Sequence, residues 1–306
     1  MDAITFRLAE PDDFDEIVKL SKGIYEGHDY LPLKFHKWLQ TNNMAVILAH
    51  SSDNKLIGLV AYSIVDDHQT FVRRAERIHQ DLRGQGLVRK LREYARNHAR
   101  QRFPNLTRVR FTTTSENVNS QHHRKLQEWN ILAYEVEIKY CRQAPAPMKK
   151  SVEIKSYSRE YFTDIILSSL GRAKLFPRDV IVVNYFPFEP LRSNIDQILE
   201  DRNELFGEDC GDDSMPRSFS FGTYLPTEKF LDWQAVIYTD DPALYEAHLL
   251  CQFKRACEFI SSDFVFVSLH DKSWTELTKN VMEEQLQLKV HGLKGMMYLY
   301  EKDLTS

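Results

Sequence analysis

A strand-like run over residues 70–79 is followed by Arg83-Gly84-Gln85-Gly86-Leu87-Val88, and an amphipathic helix begins at once. Strand, tight turn and helix in direct succession call for a sheet with a helix packed on its face. A turn of this kind aims several unpaired backbone N–H groups, and the positive end of the helix dipole, at one point. That is a cradle for a phosphate or pyrophosphate. Glycine suits it because a Cβ would block the close approach of backbone to anion. The same two glycines also suit an ordinary strand-to-helix connection, and spacing alone does not separate the two readings.

The chain has 306 residues, enough for two domains of ordinary size. Hydrophobic residues make up 42% and charged residues 27%, which describes a folded soluble protein and excludes a disordered one. No apolar run approaches the roughly 20 residues needed to span a bilayer. Met1-Asp2-Ala3-Ile4-Thr5-Phe6-Arg7 begins a strand pattern, not a signal peptide. Cys141, Cys210, Cys251 and Cys257 form no C-x-x-C pair and have no histidine cluster beside them, so a reduced, metal-free, cytoplasmic protein is expected. Charge is uneven: residues 1–150 carry 24 Lys and Arg against 18 Asp and Glu, whereas residues 151–306 carry 16 against 26. Seven basic residues fall between Arg83 and Arg102. They form either a solvated helix face or a field that draws a multiply charged anion to the glycine turn. No aromatic residues interleave with them, which argues against nucleic acid as the partner.

The pattern predicts strands at 4–8, 44–50, 56–64, 70–79, 109–113 and 131–141, and helices at 11–25, 33–40, from Leu87 onward and at 119–130. Residues 142–150, with Pro145 and Pro147, read as a linker. Beyond it come helices at 161–175, 195–205, 242–260 and 273–288, and strands at 180–185, 219–224, 234–239, 264–269 and 296–300. An acidic loop spans 207–214. The later order echoes the first half, but Asp240-Asp241-Pro242 stands where the glycine turn would be, and two carboxylates would repel a phosphate.

The order of elements in residues 1–142, with Arg83, Gly86 and Val88 at the motif positions, resembles the Gcn5-related N-acetyltransferases (GNAT superfamily). Val88 is a departure, bulkier than the family's small residue and expected to tighten the cofactor passage. Asn119 matches a family asparagine that opens the later helix. Ile24-Tyr25-Glu26-Gly27-His28-Asp29-Tyr30-Leu31-Pro32, Phe35-His36-Lys37-Trp38-Leu39 and Val65-Asp66-Asp67 with Thr70 are longer matches, to the histidine N-acetyltransferase group. The resemblance implies an α+β fold: residues 1–142 form an acetyltransferase domain of mixed, mostly antiparallel sheet flanked by helices, 143–151 a linker, and 152–306 a second α/β domain. That second domain is either a degenerate copy of the first or a separate unit.

The resemblance also implies acetyl-CoA as co-substrate, with its pyrophosphate on the amides of Gly84, Gln85, Gly86, Leu87 and Val88 near Arg83. The pantetheine arm would lie along the strand at Ile78 and His79, in a slot where the sheet splays. Relatives usually place a glutamate nine residues before the motif arginine; here that position is Arg74. Glu76, two residues on and expected on the same face by strand periodicity, is the candidate base; its alternative is a simple pair with a neighbouring arginine. Leu126 occupies the slot of the usual thiolate-protonating tyrosine, leaving His122, His123 or Tyr134 as substitutes. Tyr25, Asp29, Tyr30, His36 and Trp38, with Arg74 or Arg77 for a substrate carboxylate, are the candidate acceptor pocket; for Tyr30 and Trp38 a place in the core is the favoured alternative. His28 departs from the family's residue type and would shift substrate choice.

The function implied is acetyl transfer to the α-amino group of a free amino acid, histidine first. The alternatives are another small amine or polyamine as acceptor, or a non-catalytic acyl-CoA-binding module. No metal, membrane or nucleic-acid partner is expected.

Overall fold

Hydrogen bonding joins both halves of the chain into one sheet. The computed structural model describes residues 4–114, 123–143, 152–200, 203–211 and 215–304; Asn119 and His122 lie outside them. The first half runs β1 (Thr5–Leu8), α1 (Phe14–Ser21), α2 (Leu31–Leu39), β2 (Met44–His50), β3 (Leu56–Val65), β4 (Thr70–Ile78), α3 (Leu87–Arg102), β5 (Arg108–Thr113), β6 (Arg124–Val136) and α4 (Ile138–Gln143). The second runs β7 (Ile154–Ser156), α5 (Arg159–Tyr161), α6 (Ser169–Leu175), β8 (Ile181–Val183), β9 (Phe186–Phe188), α7 (Ile195–Ile198), β10 (Glu204–Glu208), β11 (Phe219–Pro226), β12 (Leu231–Tyr238), α8 (Pro242–Phe259), β13 (Phe264–His270), α9 (Thr275–Lys279), β14 (Lys289–Val290) and β15 (Gly295–Asp303).

The strand order is β1-β2-β3-β4-β5-β15-β6-β13-β12-β11-β10-β7, with β14 also on β6 and β8–β9 a separate hairpin. Among the described residues two pairings are parallel, β4 with β5 and β12 with β13, so the sheet is mixed and mostly antiparallel as expected. The last strand, β15, lies between β5 and β6, while β6 pairs with β13. Each half therefore completes the sheet of the other.

Strand β2 is buried on both faces, and its alternation sorts the core. Ala45, Ile47 and Ala49 face Leu87, Leu91, Ala95 and Ala99, the four-residue stripe of α3. Met44, Val46 and Leu48 face Ile17, Leu31, Phe35 and Trp38 of α1 and α2. Side chains of this size contribute about 1.5–3 kcal/mol each on full burial.

Several expected elements differ. The stretch 124–130, read as helix, is the start of β6, because pairing with β15 and β13 outweighs the helical spacing of Leu126 and Trp129. The helix expected over 11–25 is a 3-10 turn at Pro11–Asp13 followed by α1, which stops before Gly23 at φ +73°. The helix expected over 195–205 ends at Ile198 and gives way to β10. Those expected over 161–175 and 273–288 are interrupted by π turns at Phe162–Ile166 and Asn280–Gln285. Cys141 is bonded to Cys257 in a disulfide, with Cα atoms 5.3 Å apart, against the expectation of four reduced thiols.

A buried charge cluster ties the halves together. Arg110 on β5 donates to Asp66 at 3.1 Å, to Glu189 at 3.1 Å and to Glu301 of β15 at 2.8 Å. Asp66 also accepts from the Glu189 amide and from Asn194, and Thr70 accepts from Arg108 at 2.6 Å. The matched segment Val65-Asp66-Asp67 with Thr70 thus anchors the second half to the first.

Candidate active site

The turn between β4 and α3 is open. Gly84 and Gly86 both have φ +78°, a left-handed conformation that favours glycine, and an ideal Cβ at either would meet no atom within 4 Å. Gly86 caps α3 without a side-chain partner. Among the described residues, the N–H groups of Gly84, Gln85, Gly86, Leu87 and Val88 find no main-chain or side-chain acceptor, while Arg83 N–H reaches Gln80 O and Arg89 N–H reaches Gly86 O. Arg83 Nε donates to Ile78 O at 3.3 Å and Gln85 to Asp81 O, holding the loop from inside. Five free donors at a helix N-terminus, with open space where side chains would stand, fit a diphosphate. His79 is exposed beside Asp81. Val88 is half-buried and packs against the core that α3 covers.

Before this turn β4 loses one of its two neighbours. β4 pairs with β5 only through Thr70, Phe71 and Val72; beyond Val72 the two parallel strands part. On its other side β4 stays paired with β3 as far as Ile78. Opposite Ala61, two residues of β4, Arg74 and Ala75, stand against one of β3, a bulge that shifts the alternation of side chains. Glu76 therefore shares a face with Arg73, not with Arg74, which corrects the period-two expectation. The Glu76 carboxylate accepts from Arg92 at 2.6 and 2.7 Å and lies 3.7 Å from Arg73. Burial raises its pKa, but the hydrogen bonds from Arg92 and the charges of Arg73 and Arg92 outweigh that and hold it below the usual carboxylate range. A clamped carboxylate of this kind is a weak base. His123 comes near the same face: Phe111 lies between its ring, 5.4 Å away, and the Arg73 guanidinium, 4.0 Å away. Tyr134 does not. It is buried in the core of the second half, its hydroxyl on Glu283.

The opposite face of β4 meets the loop between α1 and α2. Arg77 donates to Asp29 at 2.8 and 3.3 Å, and both side chains are buried. Leu31 N–H takes Asp29 as well. The pair neutralises itself, so neither group is left for a substrate charge, contrary to the acceptor roles expected of them. It fixes the loop on which Tyr25 sits exposed under the Arg77 guanidinium, with Tyr25 and Glu26 both at positive φ. His36 lies on the solvent side of α2 against Phe14 and takes no part in the pocket. Tyr30 and Arg74 do come together. With Trp38 they line a cavity of about 20 Å³ completed by Asn184, Phe186 and Leu225 from the second half. Arg74 stands 3.8 Å over the Phe186 ring and donates to Ser63.

The second half closes this side. Glu228 and Lys229 amides donate to Asp29 O and Gly27 O, and a Cβ at Gly27 would come within 2.5 Å of the Lys229 chain. His28 stacks on Phe230 at 4.4 Å, with Asp232 and His291 as its polar neighbours. These second-half residues left one trace in the sequence, the polar pair Asp232 and Gln234 two apart in an otherwise apolar strand.

The chain is similar to known proteins along most of its length. The model of the Acetyltransferase (GNAT) family matches residues 12–124, and that of Histidine N-acetyltransferase, C-terminal, matches residues 150–271. A protein of Scomber australasicus named Histidine N-acetyltransferase is 24% identical over 82% of this chain and 79% of its own length. A Xenopus tropicalis protein of the same name is 28% identical over 62% of this chain and 61% of its own. The solved structure of a tandem GNAT protein from the clavulanic acid biosynthesis pathway superposes with a TM-score of 0.61 at 8% identity, covering 98% of both chains, which is likeness of fold alone.

Proposed function

The chain belongs to the GNAT acetyltransferase family, and from that premise we propose that it transfers the acetyl group of acetyl-CoA to the α-amino group of a free amino acid, histidine first. One observation carries the donor half of this reading: five consecutive N–H groups, Gly84 to Val88, have no acceptor among the described residues, and they follow the stretch of β4 that no longer pairs with β5. Gly84, Gln85 and Gly86 are exposed at the head of a helix, so their N–H groups are accessible to an external anion. Acetyl-CoA, when bound there, supplies an activated thioester to an attacking amine. The turn amides and the dipole of α3 would hold its diphosphate, and Arg83 keeps the turn in shape through Ile78 O.

The acceptor half rests on the relatives' name; the cavity beside Arg74 and Tyr30, about 20 Å³ and so room for one water, marks where the two halves meet and must widen to admit an amino acid. Arg77 already neutralises Asp29, so that carboxylate is not spare for a polyamine. Titration calorimetry with acetyl-CoA, followed by thiol release over the twenty amino acids and spermidine, tests the proposal. Micromolar binding with release driven by histidine is the expected result. Release with spermidine alone would move the assignment to polyamines, and binding with no release would make the chain an acyl-CoA-binding module.

A further inference from the structure

We propose that Asp232, His28, His291 and Glu135 form a proton path that takes the acceptor's ammonium proton from the pocket to the surface. The inference rests on the acetyltransferase reading and supplies the base that reading lacks, since Arg74 stands at the usual position and Glu76 is clamped by Arg92.

The path joins four separate segments of the chain through three contacts. His28 Nδ1 is 2.9 Å from Asp232 Oδ2, and His28 Nε2 is 3.0 Å from His291 Nε2. His291 Nδ1 has no hydrogen-bond partner among the described residues and stands 3.5 Å from Glu135 Oε1, on a carboxylate that is 41% exposed, so this last link is an open one that water completes. His28 and Asp232 are buried, and the other oxygen of Asp232, Oδ1, has no hydrogen-bond partner among the described residues. An unpaired buried carboxylate oxygen costs a few kcal/mol unless something donates to it, and an ammonium does.

Its position fits that partner. Asp232 lies directly across from Leu225, a wall of the cavity lined by Tyr30, Arg74 and Asn184. It also neighbours Tyr185, which follows Asn184 and is itself near Tyr30. Burial raises the Asp232 carboxyl above its ordinary range, toward that of a useful base. Other charged groups around the path are Glu26, beside Gly292, the Arg77–Asp29 pair next to His28, and Lys289, which holds Glu135 at 2.6 Å.

The step balances. The acceptor R–NH3+ gives one proton to Asp232 Oδ1, freeing the nitrogen lone pair. The nitrogen bonds to the acetyl carbonyl carbon, the C–S bond breaks with its electron pair going to sulfur, and the second nitrogen proton leaves with the thiolate as thiol. Rotation of the protonated Asp232 carboxyl about its Cβ–Cγ bond then turns the proton from the Oδ1 side to His28 Nδ1, the His28 Nε2 proton passes to His291 Nε2, and the His291 Nδ1 proton leaves to water and Glu135.

The test uses the full-length chain, with acetyl-CoA affinity, thiol release and circular dichroism measured on each sample. Asp232→Asn is expected to keep acetyl-CoA affinity and fold while losing at least about 100-fold in kcat. His291→Ala, at a partly exposed position, should lose about 10-fold, regain rate on adding imidazole, and shift the rising limb of the pH profile. Wild-type turnover with an unaltered kcat and pH profile in Asp232→Asn overturns the path alone, as does failure of imidazole to rescue His291→Ala. A wild type that binds acetyl-CoA and releases no thiol with any amine overturns the parent reading and the path together.

Discussion

The two halves place a helix after the corresponding strand and finish its N-terminus in opposite ways. In the first, β4 runs into α3 through Gly84 and Gly86, and the leading amides have no acceptor among the described residues. In the second, β12 runs into α8 through Asp240-Asp241-Pro242, and the Asp241 carboxylate accepts from Ala243 N–H at 2.8 Å and Leu244 N–H at 3.2 Å. The neighbouring parallel pairing differs in the same sense. β4 keeps three residues on β5 and then departs for its last six, whereas β12 keeps five on β13, from Asp232 to Val236, and only Ile237 and Tyr238 run past. One half has donors and a gap beside them; the other has closed both with its own atoms. An anion site is kept by leaving a helix end unfinished, and it is erased by one capping residue.

The largest effect should come from spoiling the open end. Gly86→Glu puts a carboxylate where the diphosphate would lie and forces a non-glycine residue to φ +78°. Acetyl-CoA affinity is expected to fall at least 100-fold, about 2.8 kcal/mol at 1.4 kcal/mol per tenfold. Gly86→Asn is the control, because asparagine tolerates the left-handed region and is neutral; it should bind within a few-fold of wild type. Calorimetric titration of both separates charge from backbone strain. Undiminished affinity in Gly86→Glu would remove the turn as the site.

That turn, the helix after it and the sheet class were legible because each is local: glycines, a stripe at four-residue spacing, alternating apolar runs. The acceptor side was legible only as a segment. Asp29 and Arg77 lie 48 residues apart, and nothing in either neighbourhood announces that they neutralise each other. Glu76 misled for a smaller reason. A bulge at Arg74 and Ala75 turns its side chain to the α3 face, and a bulge shows itself only when the partner strand is in register. The exchange of β6 and β15 was hidden for the same cause, since strand order is a property of pairing at long range. Asp66 and Thr70 were visible as part of a resemblance, yet their work with Arg110 and Arg108 is structural.

A second difference between the halves concerns acid. The closed half buries His248, its ring nitrogens 2.8 and 2.9 Å from Ser220 and Ser218, and burial pushes its pKa down to about 3. His270, also buried, is pushed down to about 4 by its burial. Both lie below the unfolded value of about 6.5. Below that pH the unfolded chain takes up protons that the folded chain refuses. Stability is thus whole above pH 6.5 and falls as pH drops toward 4, by about 1.4 kcal/mol per unit for each histidine. Urea unfolding at pH 7, 6 and 5 checks the slope, and His248→Gln should remove about half of it. An unchanged slope in that variant would mean that other groups drive acid loss.

The smallest effect tests whether the cap alone closed the second site. Asp241→Ala strips the acceptor from Ala243 and Leu244 and should lower stability by about 1 kcal/mol, the usual cost of losing an N-cap. It also bares two amides at the head of an 18-residue helix. If free donors were enough, a second equivalent of acetyl-CoA would bind. The expected stoichiometry stays at one, because the pantetheine arm needs a gap between parallel strands, and β12 remains zipped to β13 through Val236. Binding of a bare anion such as pyrophosphate, without the coenzyme, would be the signature of a restored cradle beside a slot that is still shut. Two equivalents of acetyl-CoA would instead mean that the splay between strands matters less than the helix end, and the contrast between the halves would reduce to a single aspartate.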